Sequence, residues 1–139
     1  MNYILDTCVI SELIKPKPSS KVIAWVRACR DEYLFLSSLT IGEIQKGISK
    51  LPDSSKRKKL QAWTDTELIQ RFRGRILAID DKVAQKWGYI QATSEIAGNK
   101  MPVIDSLMVA TGLVYDMTIV TRDTGGMGKS GAKLLNPWE

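Results

Sequence analysis

The sequence predicts an α/β fold in which a central, mostly parallel sheet of four to five strands is covered by helices on both faces. Short apolar runs alternate with longer amphipathic stretches along the chain, as strands and helices do in parallel α/β proteins. The content of 44% hydrophobic and 25% charged residues is that of an ordinary globular protein. Because 139 residues is also a single-domain length, residues 1–139 are expected to form one domain.

The first half of the chain predicts two short strands and four helices. The strands are brief apolar runs, and the helices carry apolar residues at three- and four-residue spacing. Prolines and serines mark several ends, because proline stops a helix and serine caps one. The predicted elements are a strand over 3–5, a helix over 9–14, a helix from Ser19 or Ser20 to Cys29, a strand over 33–36, a helix over 39–51 and a basic helix from about 55 to 72.

The second half continues the same alternation. A strand over 75–79 precedes a helix that begins at Asp80 or Asp81 and turns Val83, Trp87 and Ile90 inward. A loop over 99–102 leads into a helix from Asp105 to about Val114, and Asp116 lies in the turn after it. The remaining predicted elements are a strand over 118–121, a glycine-rich loop over 125–131 and a short strand near 134–135.

The composition excludes several kinds of chemistry. The chain has no histidine, which removes the Ser-His-Asp triad, the Cys-His dyad and imidazole metal sites. Its two cysteines, Cys8 and Cys29, are too few for a four-ligand zinc site and suggest a reducing, cytoplasmic setting. No signal peptide and no membrane span are expected from the pattern of apolar runs.

The charge is uneven along the chain. Residues 1–75 hold 14 basic and 8 acidic side chains, a balance of +6, whereas residues 76–139 hold 6 and 7, a balance of −1. The densest basic run is 56–59, which is interpreted as a solvated helix face in preference to a surface for a polyanion.

Four acidic residues are expected at one edge of the sheet, because ligands of open α/β sheets bind outside the carboxyl ends of the strands. Asp6 ends the first strand, and Asp123 follows the fourth. Glu43 lies early in the helix after the second strand, and Asp105 begins a helix whose amino end should reach the same edge. Asp116 maps to the opposite edge and is excluded.

Each of these acids also has an ordinary structural role open to it, such as capping a helix or stabilising a turn. Together they are harder to explain, since clustered carboxylates raise one another's pKa unless a cation lies among them. Oxygen ligands without histidine or cysteine suit Mg²⁺ or Mn²⁺. Asp80 and Asp81 also follow a strand, but they are assigned as helix caps.

Five segments of the chain resemble the PIN-domain family, in particular the VapC and FitB-like toxins of bacterial toxin–antitoxin pairs. They appear in the family's order and cover nearly the whole chain. The segments are ILDTCVISE (4–12), LTIGEI (39–44), DSLMVAT (105–111), TRDTG (121–125) and NPW (136–138).

The resemblance implies a PIN-like three-layer fold and a metal-dependent endoribonuclease that cleaves tRNA or other structured RNA. It carries catalytic and metal-binding roles onto Asp6, Glu43, Asp105 and Asp123. It further implies hydrolysis to 5′-phosphate and 3′-hydroxyl ends, and inhibition by a cognate antitoxin. Homodimers are common in the family, and operator DNA is bound only indirectly, through the antitoxin.

Four further residues near the acids are singled out. Thr7 and Thr121 are candidates to orient ligand carboxylates or waters. Arg122 is expected either to contact phosphate or to pair with an acidic residue. Cys8 stands where the family commonly has asparagine, and its side chain is expected to point away from Asp6.

Two other functions remain open from the sequence. A receiver-like phosphoacceptor domain would need an aspartate at the end of the third strand, which Asp80 provides, and a lysine at the end of a later strand, which is missing. A non-catalytic module that binds RNA or protein would show no RNA turnover with Mg²⁺ or Mn²⁺.

Overall fold

Strands and helices alternate along the chain, as predicted. The computed structural model describes residues 1–139. Its elements are β1 (Tyr3–Leu5), α1 (Thr7–Leu13), α2 (Ser20–Ala28), β2 (Leu34–Ser37), α3 (Ser38–Ser49), α4 (Ser55–Trp63), α5 (Ile69–Arg71), β3 (Ile76–Leu77), α6 (Asp81–Ile96), α7 (Val103–Val114), β4 (Thr118–Val120), α8 (Thr124–Met127) and β5 (Leu134–Leu135). A π-helical turn, Thr64–Leu68, joins α4 to α5, and single 3₁₀ turns occupy Asp31–Tyr33 and Gly128–Ser130.

The five strands form one sheet in the order β3-β2-β1-β4-β5. Every pairing is parallel, so the predicted sheet is confirmed and is wholly rather than mostly parallel. β1 and β4 pair at the centre, with Leu5 opposite Val120. The carboxyl ends of both strands therefore reach the same edge of the sheet side by side.

Neighbouring residues of the central strands face opposite sides of the sheet and enter two separate cores. Leu5 and Val120 belong to a cluster with buried residues of α1, α2 and α3. Ile4 and Ile119 belong to a second cluster with residues of α6, α7 and α8. The helices thus form one layer on each face, which is the predicted three-layer arrangement.

Several boundaries differ from the prediction. α1 begins at Thr7 instead of residue 9, because the Asp6 carboxylate accepts a hydrogen bond from the Thr7 amide and starts the helix earlier. β2 is shifted by one residue to Leu34–Ser37. β3 is shorter than the predicted 75–79, since it lies at the sheet edge and pairs with β2 alone.

The helix over the central strands and the glycine-rich loop were also incompletely predicted. α7 begins at Val103, so Asp105 lies within its first turn instead of at its start. The predicted loop over 125–131 contains α8 and a 3₁₀ turn, because the Asp123 side chain caps a helix there. α7 packs closely on β4: a Cβ at Gly112 would lie 2.9 Å from a side-chain carbon of Ile119.

Both cysteines are free thiols. None of the helices has the length and apolar character that crossing a bilayer requires.

Asp80 caps α6, as assigned from the sequence. Its carboxylate accepts a hydrogen bond from the Val83 amide at 2.9 Å and another from the hydroxyl of Tyr115. Tyr115 follows the carboxyl end of α7, whereas Asp105 lies at the amino end of that helix. Asp80 is therefore remote from the edge that a phosphoacceptor would occupy, and the receiver-like hypothesis is wrong.

The Tyr115 hydrogen bond lowers the pKa of Asp80, and the same bond raises the pKa of Tyr115. Because the pKa of Asp80 is lower in the folded state, its carboxylate stabilises the fold above the unfolded-state pKa, and this contribution is lost as pH falls through the folded-state pKa. We expect Tyr115→Phe to lower the melting temperature at neutral pH, with a difference from the wild type that shrinks below about pH 4.

Thermal unfolding followed by circular dichroism over this pH range measures the effect. Tyr33→Phe is the matched control, because the hydroxyl of the exposed Tyr33 forms no hydrogen bond within the chain. A pH-independent difference for Tyr115→Phe would show that the Asp80 contact does not stabilise the fold.

Candidate metal centre

The site is built where β1 and β4 end. The amide of Asp6 donates to the carbonyl of Val120 at 2.9 Å and extends the parallel pairing by one residue. Asp6 then leaves the sheet as the N-cap of α1, with one carboxylate oxygen 2.8 Å from the Thr7 amide. Its second oxygen faces the end of β4.

Thr121 connects two of the predicted acidic residues. Its buried hydroxyl donates to the second oxygen of Asp6 at 2.8 Å and accepts from the backbone amide of Asp123 at 3.0 Å. The hydroxyl therefore holds the loop after β4 against the end of β1. This contact agrees with the expected orienting role of Thr121.

Glu43 is held by the other predicted threonine. The hydroxyl of Thr7, at the start of α1, donates to a carboxylate oxygen of Glu43 at 2.5 Å. Glu43 lies in α3, whose apolar residues Ile44 and Ile48 are buried beneath it. The helix is fixed by its core contacts, and the Thr7 bond directs the acid toward the Asp6 side of the sheet edge.

Asp105 lies in the first turn of α7, where the charges of the other three acids act on its carboxyl. Partial burial raises the pKa of this carboxyl, and the negative charges of Asp123, Asp6 and Glu43 raise it further. Three like charges from distant parts of the chain thus act on one carboxyl. The other three acids therefore lie near enough for their charges to reach Asp105.

The donor set fits a hard divalent cation in its chemistry. All four acids offer oxygen ligands, and burial together with the neighbouring negative charges raises the pKa of Asp105, which a bound cation would counteract. No three acidic side chains stand close enough to form a ready ligand cluster.

Cys8 does not point away from Asp6, contrary to expectation. Its sulfur lies 3.9 Å from the Asp6 oxygen and 3.7 Å from the hydroxyl of Thr121. It points inward because it follows Asp6 in the first turn of α1, over the end of β4. Burial raises the pKa of the Cys8 thiol, which keeps it neutral beside the carboxylate.

Arg122 is engaged within the chain, which favours the second of its two predicted roles. Its guanidinium carbon lies 4.1 Å from the ring centre of Trp138, and a guanidinium nitrogen lies 3.7 Å from Glu12. The buried Glu12 also accepts from the ammonium of Lys15 and the amide of Ser19, both at 3.0 Å. Arg122 therefore ties the Asp123 loop to α1 and to the end of the chain.

Gly126 contacts the proposed site although its sequence context does not single it out. Its amide donates to Asp123 at 3.1 Å, and a Cβ at this position would lie 2.9 Å from both carboxylate oxygens of Asp123. The N-cap pattern, an aspartate three residues before Gly126, was the available signal. No sequence signal indicates the close steric contact between Gly126 and the Asp123 carboxylate, because that contact depends on the path of the loop.

Comparisons with known proteins agree with this architecture. The PIN domain family model matches residues 3–127. Toxin FitB of Neisseria gonorrhoeae is 32% identical over 135 residues, which cover 97% of both chains. The VapC ribonuclease Y4jK of Sinorhizobium fredii is 32% identical over 136 residues, covering 98% of this chain and 97% of that protein. The solved structure of FitAB bound to an IR36 DNA fragment superposes with a TM-score of 0.93 and 32% identity, over 99% of this chain and 96% of that one.

Gly126→Ala should weaken binding of Mn²⁺ roughly tenfold or more, because the added methyl group displaces the Asp123 carboxylate. The fold should be preserved, since alanine favours a helix more than glycine does. Isothermal titration with Mn²⁺ measures the affinity, and circular dichroism checks the fold.

Gly125→Ala is the matched control, because a Cβ at Gly125 meets no atom within 4 Å. Equal Mn²⁺ affinities of the two variants would contradict a role for the Asp123 carboxylate in metal binding.

Proposed function

We propose that this chain, which belongs to the PIN domain family, is a divalent-metal-dependent endoribonuclease and the toxin of a toxin–antitoxin pair. In this proposal Asp6, Glu43, Asp105 and Asp123 form the catalytic metal site, which takes Mg²⁺ or Mn²⁺. The observation that carries the proposal is the placement of the acids: Thr121 links Asp6 to the Asp123 loop, Thr7 holds Glu43, and the charges of these three acids act on Asp105. The full-length similarity to a protein named a VapC ribonuclease supports the reaction class.

The residues of the chain have distinct roles in the proposed reaction. When bound, the ion supplies an activated water and a positive charge near the scissile phosphate. Asp6 and Asp105 are the principal ligands, and Glu43 and Asp123 complete the acidic site. Thr121 orients Asp6 through its hydroxyl, and Thr7 orients Glu43. Hydrolysis leaves 5′-phosphate and 3′-hydroxyl ends.

The charge distribution supports RNA as the substrate. The chain carries a net charge of +5, and four of its 15 acidic residues are assigned to the proposed site. A basic protein attracts a polyanion, while an acidic pocket repels phosphate until a cation has entered. Within the class of RNA, tRNA or another structured RNA is the proposed target. The basic run 56–59 lies on the mostly exposed α4, in agreement with a solvated helix face.

A cognate antitoxin is the proposed protein partner and inhibitor. One curated relative is named a toxin, and the similar solved structure contains FitAB on a DNA fragment. We therefore propose that the chain reaches operator DNA only as part of such a complex, through the antitoxin.

Asp105→Asn is expected to reduce RNA cleavage by Mg²⁺- or Mn²⁺-loaded protein roughly a thousandfold or more, because the carboxylate that closes the metal site is lost. Cleavage of purified tRNA, followed on denaturing gels with end-group analysis, measures the effect. A chelator should also abolish the wild-type activity.

Asp116→Asn is the matched control: it makes the same chemical change in a turn where Asp116 pairs only with Lys133. Full cleavage by Asp105→Asn would refute the site assignment. No turnover by the wild-type protein with either ion would favour the non-catalytic binding module instead.

The product of a small reading frame beside the toxin gene is expected to bind the chain and suppress RNA cleavage at equimolar ratio. Co-purification followed by a cleavage assay on the complex measures both effects. A complex that cleaves RNA as fast as the free chain would contradict inhibition by that partner.

A further inference from the structure

A cavity of about 460 Å³ opens beside the acidic site. We propose that it binds one nucleotide of single-stranded RNA next to the scissile phosphate. The inference rests on the proposed nuclease function and names how that site holds its substrate. The volume is within the range of pockets that enclose small organic ligands.

The position of the cavity links it to the reaction. One wall is formed by Met101 and Pro102, which lead directly into α7 and Asp105. Gly125 and Gly126 also line the cavity, and the amide of Gly126 donates to Asp123. The two segments that carry Asp105 and Asp123 thus also line the cavity.

The lining suits a nucleotide more than a protein segment. Two of its residues are the lysines Lys100 and Lys129, and none is acidic. Lys100 lies 3.8 Å from Glu95 in an exposed pair, which is weak in water, and Lys129 has no ion-pair partner. The ammonium groups are therefore free to meet phosphate oxygens on either side of a bound base.

Tyr89 lines the cavity and provides a flat aromatic surface. The residue is 69% exposed and packs into neither core, so its ring is available to a ligand. The ammonium of Lys86 lies 5.7 Å from the ring centre and adds positive charge there. Exposed aromatic rings flanked by cations are platforms on which bases of single-stranded nucleic acid stack.

Asn99 supplies polar groups for a base edge. Its side-chain amide forms no hydrogen bond within the chain, whereas the nearby hydroxyls of Thr93 and Ser94 are occupied by backbone carbonyls of α6. Asn99 follows Gly98, whose φ of +77° turns the chain sharply after α6 and brings the amide to the cavity. The amide offers both a donor and an acceptor, which is what a base edge requires.

The test separates RNA binding from RNA cleavage. Binding of a fluorescein-labelled single-stranded oligoribonucleotide is measured by fluorescence anisotropy in the Asp105→Asn background, where cleavage is not needed for the readout. Adding Tyr89→Ala should weaken binding roughly tenfold through loss of stacking, and Tyr89→Phe should restore it. Lys129→Gln should reduce the slope of log affinity against log salt by about one.

Lys50→Gln is the matched control, because it removes the same charge at the far end of α3 from Glu43. Photocrosslinking with a 4-thiouridine-substituted RNA, followed by mass spectrometry, should label peptides that contain Tyr89 or Asn99. Crosslinks confined to other peptides would overturn the proposal.

The nuclease proposal and the cavity proposal fail in different ways. If the wild-type protein cleaves RNA but Tyr89→Ala and Lys129→Gln bind RNA unchanged, the cavity proposal falls and the nuclease proposal stands. If the wild type never cleaves RNA but both variants weaken its binding, the nuclease proposal falls and the cavity keeps only its role in RNA binding. Variants that lose an antitoxin peptide but keep RNA affinity would assign the cavity to a protein partner and overturn the inference.

Discussion

The parallel pairing of β1 with β4 at the centre of the sheet is the constraint on which the site depends. It places Asp6 and Thr121 at adjacent strand ends, although they are 115 residues apart in sequence. The buried Thr121 hydroxyl donates a hydrogen bond to Asp6 and accepts one from the Asp123 amide. A shift of one residue in this pairing would turn the side chains of one of the two strands to the other face of the sheet and separate Asp6 from Thr121.

The acidic cluster works against the stability of the fold that carries it. Packing fixes the backbone of α7 through Met108, Val109 and Ala110, all fully buried, so Asp105 cannot retreat from its neighbours. The cost appears as the raised pKa of Asp105, because the folded chain holds its proton more tightly than an unfolded one would. A cation bound as proposed would offset the repulsion among these acids.

Much of this arrangement was predictable from the sequence, for identifiable reasons. The strand–helix alternation gave the sheet, and the rule for strand ends brought together the acids of β1, α3, α7 and the loop after β4. The threonine contacts were anticipated from position alone. Local capping was the main source of error: Asp6 and Asp123 each start a helix, which moved α1 and turned a predicted glycine loop into α8. The orientation of the Cys8 side chain and the close approach of Gly126 to the Asp123 carboxylate depend on packing, which the spacing of residue types does not encode.

The two helical layers contribute to the site unequally and at different points along the chain. Asp6 and Glu43 belong to elements packed on one face of the sheet, whereas Asp105 lies in a helix packed on the other. β4 must pair with β1 before these faces share an edge. During synthesis on the ribosome, the four acids can therefore meet only after residue 123 has been translated. A ribosome that stalls before β4 displays only part of the acidic set.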